Sequence, residues 1–140
     1  MTRLVVVSGL SGSGKSVALH MLEDLDYYCI DNIPAGLLKS FVATTIQTAD
    51  PIYERTAVGL DARNRPSDLI SVPDIARGLR ESGVQCEILF LYADDAMLLR
   101  RYAETRRRHP LSRSGLSLRE AIVRERELLD PIIDAADLVI

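Results

Sequence analysis

Residues 9 to 16 read Gly9-Leu10-Ser11-Gly12-Ser13-Gly14-Lys15-Ser16, a complete G-x-x-x-x-G-K-[ST] pattern. These residue types at this spacing suit a loop that grips phosphate. Glycines let the backbone curl until successive N–H groups point inward at anionic oxygens. The helix that follows adds its unpaired N–H groups and the positive end of its dipole. Lys15 is expected to reach the β- and γ-phosphates of a nucleotide, and the Ser16 hydroxyl to ligate Mg²⁺.

Turnover of a bound triphosphate also needs the metal held correctly and a nucleophile positioned. Asp61 is the best carboxylate for that work, because it ends the apolar run Ala57-Val58-Gly59-Leu60. It would hold Mg²⁺ through a water or orient the attacking water. The alternative for Asp61 is a turn residue capping the loop before Pro66. Asp94 is a rival carboxylate, read first as a helix cap. Asp31 ends a second apolar run and has two readings: a carboxylate that orients a substrate hydroxyl, or a turn built with Asn32 ahead of Pro34.

Arg100, Arg101, Arg106, Arg107, Arg108 and His109 form one basic segment. Three accounts of it stand. Arginines near a helix C-terminus complement the dipole. A lid bounded by Pro110 and Gly115 would bring Arg106 or Arg107 onto the γ-phosphate, as arginine fingers do. A phosphate patch for RNA is the third, with Tyr102 the one aromatic nearby. The run Glu120, Arg124, Glu125, Arg126, Glu127 reads as a solvated, ion-paired face.

The elements that must position these groups alternate along the chain. Arg3–Ser8 is an apolar, β-branched strand. A helix after Ser16 carries Val17, Met21 and Leu25 on one face, flanked by Ala18 and Leu22. A strand is expected at Tyr27–Asp31, then a helix burying Leu37, Leu38, Phe41, Val42 and Ile46. A third strand fits Thr56–Asp61, followed by a loop at Arg63–Pro66 and a helix at Val72–Glu81. Glu87–Tyr92 is the fourth strand. Asp94 opens a helix to about His109. Ser117-Leu118-Arg119-Glu120 has capping-box form and starts a helix to about Ile133. Ala136–Ile140 is the fifth strand. This alternation predicts an α/β fold with a five-stranded parallel sheet sandwiched by helices. On such sheets ligands bind at the carboxyl ends of strands, where the glycine loop, Asp31 and Asp61 all fall.

Bulk properties narrow the class. The 140 residues are 47% hydrophobic and carry a net charge of −3, which suits one globular domain and excludes a generally basic nucleic-acid binder. No apolar stretch is long enough to span a bilayer, and the N-terminus enters a strand directly, so a cytoplasmic location is expected. Cys29 and Cys86 read as buried thiols. An apolar strand at the end of the sequence suggests that 1–140 is the N-terminal part of a longer two-domain protein.

Together these residues resemble the RapZ/YvcJ family of RNase adapter proteins. The resemblance rests on GLSGSGKS (9–16), LEDLDYYCIDNIP (22–34), LDARN (60–64), LLRRYAETRRRHPL (98–111) and the terminal ADLVI. It implies a P-loop NTPase of kinase-like fold that binds ATP and GTP and hydrolyses both weakly with Mg²⁺. Gly9–Ser16 would be the ATP loop, and Asp61-Ala62-Arg63-Asn64 the segment associated with GTP. A further domain would carry contacts to RNA, an amino-sugar metabolite or a protein partner, with self-association as another partner class. Two other functions remain open: a small-molecule kinase using ATP, with Asp31 on the acceptor hydroxyl, and a binding module in which nucleotide acts as a switch and hydrolysis is incidental.

Overall fold

The β-branched run at the start of the chain becomes the middle strand of a parallel sheet. The computed structural model describes residues 2–10, 13–45, 50–105, 109, 111 and 117–140. Strand β1 (Arg3–Gly9) leads into α1 (Lys15–Asp24), β2 (Tyr28–Ile30), α2 (Leu38–Thr44), β3 (Arg55–Leu60), α3 (Pro66–Glu81), β4 (Gln85–Leu91), α4 (Asp95–Thr105), α5 (Leu118–Ala135) and β5 (Leu138–Val139). The strand order is β2-β3-β1-β4-β5, with every pairing parallel. The chain therefore winds one way from β1 to β2 and returns past it to β4. That reversal places the ends of β1 and β3 at the crevice where such sheets take ligands.

Helices cover both faces. Leu4, Val6, Val58, Leu60, Ile88 and Phe90 join the larger core with Leu38, Leu69, Val72, Leu98 and Leu129 from the helices. Val7, Ala57 and Leu91 face the other way, against Leu19 of α1. Burial on both faces explains why β1 and β3 read as continuous apolar runs without alternation.

The expected order of elements stands, but several details differ. In α1 the buried residue is Leu19, with Ala18 and Leu22 packed beside it, whereas Val17, Met21 and Leu25 are each more than 60% exposed. The four-residue step picked the wrong stripe, because the helix turns its small and γ-branched side toward the sheet. The exposed stripe instead borders an apolar groove of about 660 Å³ with Leu89, Leu91 and Ile140. Helix α3 starts six residues before the expected Val72. Pro66 looks like a breaker but sits at the first helical position, where a missing N–H costs nothing. Leu37 lies in a single 3-10 turn, Ala35–Leu37, and is exposed, while Leu38 and Val42 are buried. Ile46 lies outside the described residues.

Glu125 is a further correction. It is not on a solvated face but is 1% exposed, with its Oε1 3.2 Å from Nε2 of His109, itself 1% exposed. The Leu111 N–H donates to His109 Nδ1 at 3.1 Å, which leaves Nε2 as the donor to Glu125. The capping box of α5 forms as expected: Ser117 Oγ accepts from the Glu120 N–H, and Glu120 Oε1 accepts from the Ser117 N–H.

Candidate functional site

The glycine loop leaves β1 and turns into α1 over two positions that demand glycine. At Gly14 φ is +100°, a left-handed conformation in which a Cβ is strained. At Gly9 an added Cβ would lie 2.7 Å from Ser13 Oγ and 2.9 Å from the Leu91 carbonyl oxygen. The loop thus folds back tightly on the end of β1, and the Ser13 N–H donates to the Leu10 carbonyl at 2.9 Å. Ser11 and Gly12, expected phosphate-binding positions, lie outside the described residues.

Helix α1 begins without a side-chain cap and without an acidic residue in its first turn. Among the described residues no side chain caps its leading N–H groups, an arrangement that suits an anion site. Helix α5, which serves no loop of this kind, is fully capped. Ser13 Oγ is buried and, among the described residues, has no hydrogen-bond partner. Two features of the loop, the bare first turn and this orphaned hydroxyl, therefore suit an acceptor-rich ligand.

Lys15, the first residue of α1, sends its ammonium across the crevice to the ends of β2 and β3. Nζ lies 3.3 Å from Asn32 Oδ1, 3.5 Å from Asp31 Oδ1 and 3.5 Å from Asp61 Oδ2. The structure thus brings the two expected residues Lys15 and Asp61 together, and adds Asp31. Asn32, read from the sequence only as a turn residue beside Asp31, adds its side-chain oxygen to this group. Its backbone φ of +56°, which asparagine tolerates better than most residues, is the local reason it turns its amide toward Lys15.

Asp61 is also tied to its own loop. Its Oδ1 accepts from the Arg63 N–H at 2.9 Å, and Oδ2 accepts from Arg63 Nη2 at 2.7 Å and Nε at 3.1 Å. Burial opposes its ionisation, but the Arg63 side chain and N–H, with the charge of Lys15, outweigh burial and hold the carboxyl below the usual range. Asp61 is therefore an ionised oxygen donor at the mouth of the crevice.

The remaining members of the 61–64 segment divide. Ala62 is 5% exposed and packs into the core, so only its backbone could meet a ligand. Asn64 is a clamp: Oδ1 accepts from the Ala35 N–H, and Nδ2 donates to the Asp61 carbonyl. The Arg63 side chain is 56% exposed and lines a cleft of about 540 Å³ together with Asn32, Asp61, Arg65 and Asp68. Ser16 is exposed on the first turn of α1. Asp94 is a cap, accepting from the Met97 N–H at 2.7 Å. Arg106, Arg107 and Arg108, with Pro110 and Gly115, lie outside the described residues.

Comparison with known proteins places this geometry. The RapZ-like N-terminal domain matches residues 2–140. The chain belongs to the RapZ-like family. Curated relatives of this RapZ-like domain include a protein of Halorhodospira halophila called a nucleotide-binding protein, 56% identical over 96% of the chain and 47% of the relative. Another bearing that name, from Alkalilimnicola ehrlichii, is 52% identical over 99% of the chain and 48% of the relative. The RapZ-like chain thus spans about half the length of these relatives. Among solved structures it resembles shikimate kinase of Bacteroides thetaiotaomicron, with TM-score 0.56, 15% identity, and 99% and 85% of the two chains covered. It also resembles the YorR protein of Bacillus subtilis in complex with phosphorylated GDP, with TM-score 0.54, 16% identity, and 98% and 83% covered. The fold is shared with these two proteins.

Among the described residues of the RapZ-like domain, no cluster of three or more His, Cys, Asp or Glu side chains could cage a metal, and no helix is long and apolar enough to cross a membrane. The oxygens of Ser16 and Asp61 nevertheless suit Mg²⁺, a hard cation that keeps several waters and shares its shell with substrate phosphates. The fit has a direct sign: the Lys15 ammonium already sits as a cation between Asp31 and Asp61.

Proposed function

We propose that this domain binds the triphosphate of ATP or GTP in the Gly9–Ser16 loop and hydrolyses it slowly, as the nucleotide-responsive part of an RNase-adapter-type regulator. The observation that carries this reading is Lys15, placed by an uncapped helix at the ends of β1 and β3 and facing an ionised Asp61. The names of the relatives and the nucleotide in the YorR complex point the same way.

In this reading Lys15 leaves its carboxylates and meets the β- and γ-phosphates. The α1 N–H groups and the Ser13 hydroxyl donate to the remaining anionic oxygens. Ser16 and Asp61 would hold Mg²⁺, which supplies charge neutralisation across the β- and γ-phosphates. Asp61 orients a water in line with the γ-phosphorus. The water oxygen bonds to that phosphorus as the bridging P–O bond breaks and the diphosphate leaves, and one water proton passes to an oxygen of the departing phosphate. Arg106 or Arg107 steadies the charge on the transferring group. In the 61–64 segment, the Arg63 guanidinium and the backbone at Ala62 are the groups left to touch a guanine nucleotide, since Asn64 is committed to the Ala35 N–H. RNA, amino-sugar or protein partners would be met mainly by the sequence beyond this domain.

The cleft beside Arg63 favours one other reading, a small-molecule kinase. Its volume of about 540 Å³ would hold an acceptor, and Asn32 and Asp61, which line it, both contact Lys15.

Calorimetric titration with ATP, GTP and their diphosphates, with and without Mg²⁺, tests both readings. The parent is expected to bind triphosphates, and Lys15→Ala to weaken them on the order of ten- to hundredfold. Unchanged affinity in Lys15→Ala would remove the proposal. ATP turnover that rises only with an added hydroxylated acceptor would establish the kinase.

A further inference from the structure

The lysine of the loop does not wait in solvent. Its side chain is 14% exposed, held by Asp31, Asp61 and Asn32. Asp31 is itself fixed. Its Oδ1 accepts from the Asn32 N–H at 2.8 Å, and it rests against Gly59, where an added Cβ would come within 2.5 Å of that oxygen. Asp61 has a second cation, Arg63, but Lys15 is the one cation ion-paired with Asp31 among the described residues.

Charge then decides what nucleotide binding requires. Asp31 and Asp61 are balanced by Lys15 and Arg63 while the crevice is empty. A triphosphate that draws Lys15 onto its own oxygens brings several negative charges beside Asp31 and takes away its ion-pair partner, leaving it the more distant charge of Arg63. The Asp31 side chain is 41% exposed, so solvent weakens that repulsion without removing it over a few ångströms. A divalent cation arriving with the phosphates restores the balance.

We infer that Asp31 is a positioning residue that parks Lys15 in the empty site and makes nucleotide binding conditional on a divalent cation. This rests on the triphosphate reading above and adds a role that hydrolysis by itself does not require. Asp31→Asn keeps an acceptor for the Asn32 N–H and removes the charge that holds the lysine and repels the phosphates.

The test is calorimetry of ATP binding in Mg²⁺ and, separately, in excess EDTA, on the parent, on Asp31→Asn and on Asp74→Asn. Asp74 loses the same charge from the exposed side of α3, where its ion pair among the described residues is with Arg77. Asp31→Asn is expected to bind metal-free ATP about tenfold more tightly than the parent while its Mg·ATP affinity changes less than about threefold. Asp74→Asn should keep the parent's ratio of the two affinities. A ratio in Asp31→Asn equal to the parent's, or metal-free binding that weakens, overturns the role of Asp31. Failure of the parent to bind Mg·ATP at all would instead overturn the triphosphate reading.

Discussion

Asp61 and Arg63, two positions apart, are joined by three hydrogen bonds, one from the Arg63 backbone and two from its guanidinium. The arrangement bends the β3–α3 loop so that Asp61 faces Lys15 while the arginine lies along the cleft. Position and charge of the carboxylate therefore come from the same neighbour.

Arg63→Ala is expected to lower stability at neutral pH by less than about 1 kcal/mol, since the arginine is more than half exposed. The sign with pH follows from the depressed carboxyl of Asp61. Its contribution is present above the unfolded value of about 3.9 and is lost as pH falls through the lower folded value. The gap between parent and variant in urea midpoint should therefore narrow below about pH 4. A gap of undiminished size at pH 2 would contradict the assignment.

Glu125 and His109 form a buried pair between α5 and the segment at 109–111. Glu125→Ala leaves the His109 donor without a partner and is expected to cost about 1–3 kcal/mol. Glu125→Gln keeps an acceptor and should cost less. Chemical denaturation of both variants decides it: equal losses would mean that packing, not the hydrogen bond, holds this segment.

The two sides of α1 should respond oppositely. Leu19→Ala opens a cavity beneath the helix and is expected to cost about 2–4 kcal/mol. Met21→Lys, on the exposed stripe, should fall within about 0.5 kcal/mol of the parent. Thermal unfolding of the pair tests which stripe meets the sheet, and a large loss in Met21→Lys would reverse the assignment.

Much of this site was legible in the chain, for identifiable reasons. Glycine at 9 and 14 answers backbone demands that no other residue meets, so the loop shows in the sequence itself. Asp61 shows because it closes an apolar strand. What stayed hidden depends on packing between distant segments. Asn32 reaches Lys15 only once β2 lies beside β3. Glu125 looked like one charge among several, because nothing within α5 marks the position that faces His109. The stripe of α1 misled because Val17, Met21 and Leu25 are apolar yet open, and periodicity records an apolar face without naming the surface it meets. Pro66 disguised the start of α3, because a proline at the first helical position looks the same in sequence as one that ends a helix.

The placement of β1 between β3 and β4 carries a consequence for how the molecule is made. Strand β1 has neither of its partners until Arg55–Leu60 has been synthesised, and its second neighbour is complete only at Leu91. Pairings so distant along the chain form slowly. Strand β1 and the loop that follows it therefore acquire their final shape only after Leu91 has emerged.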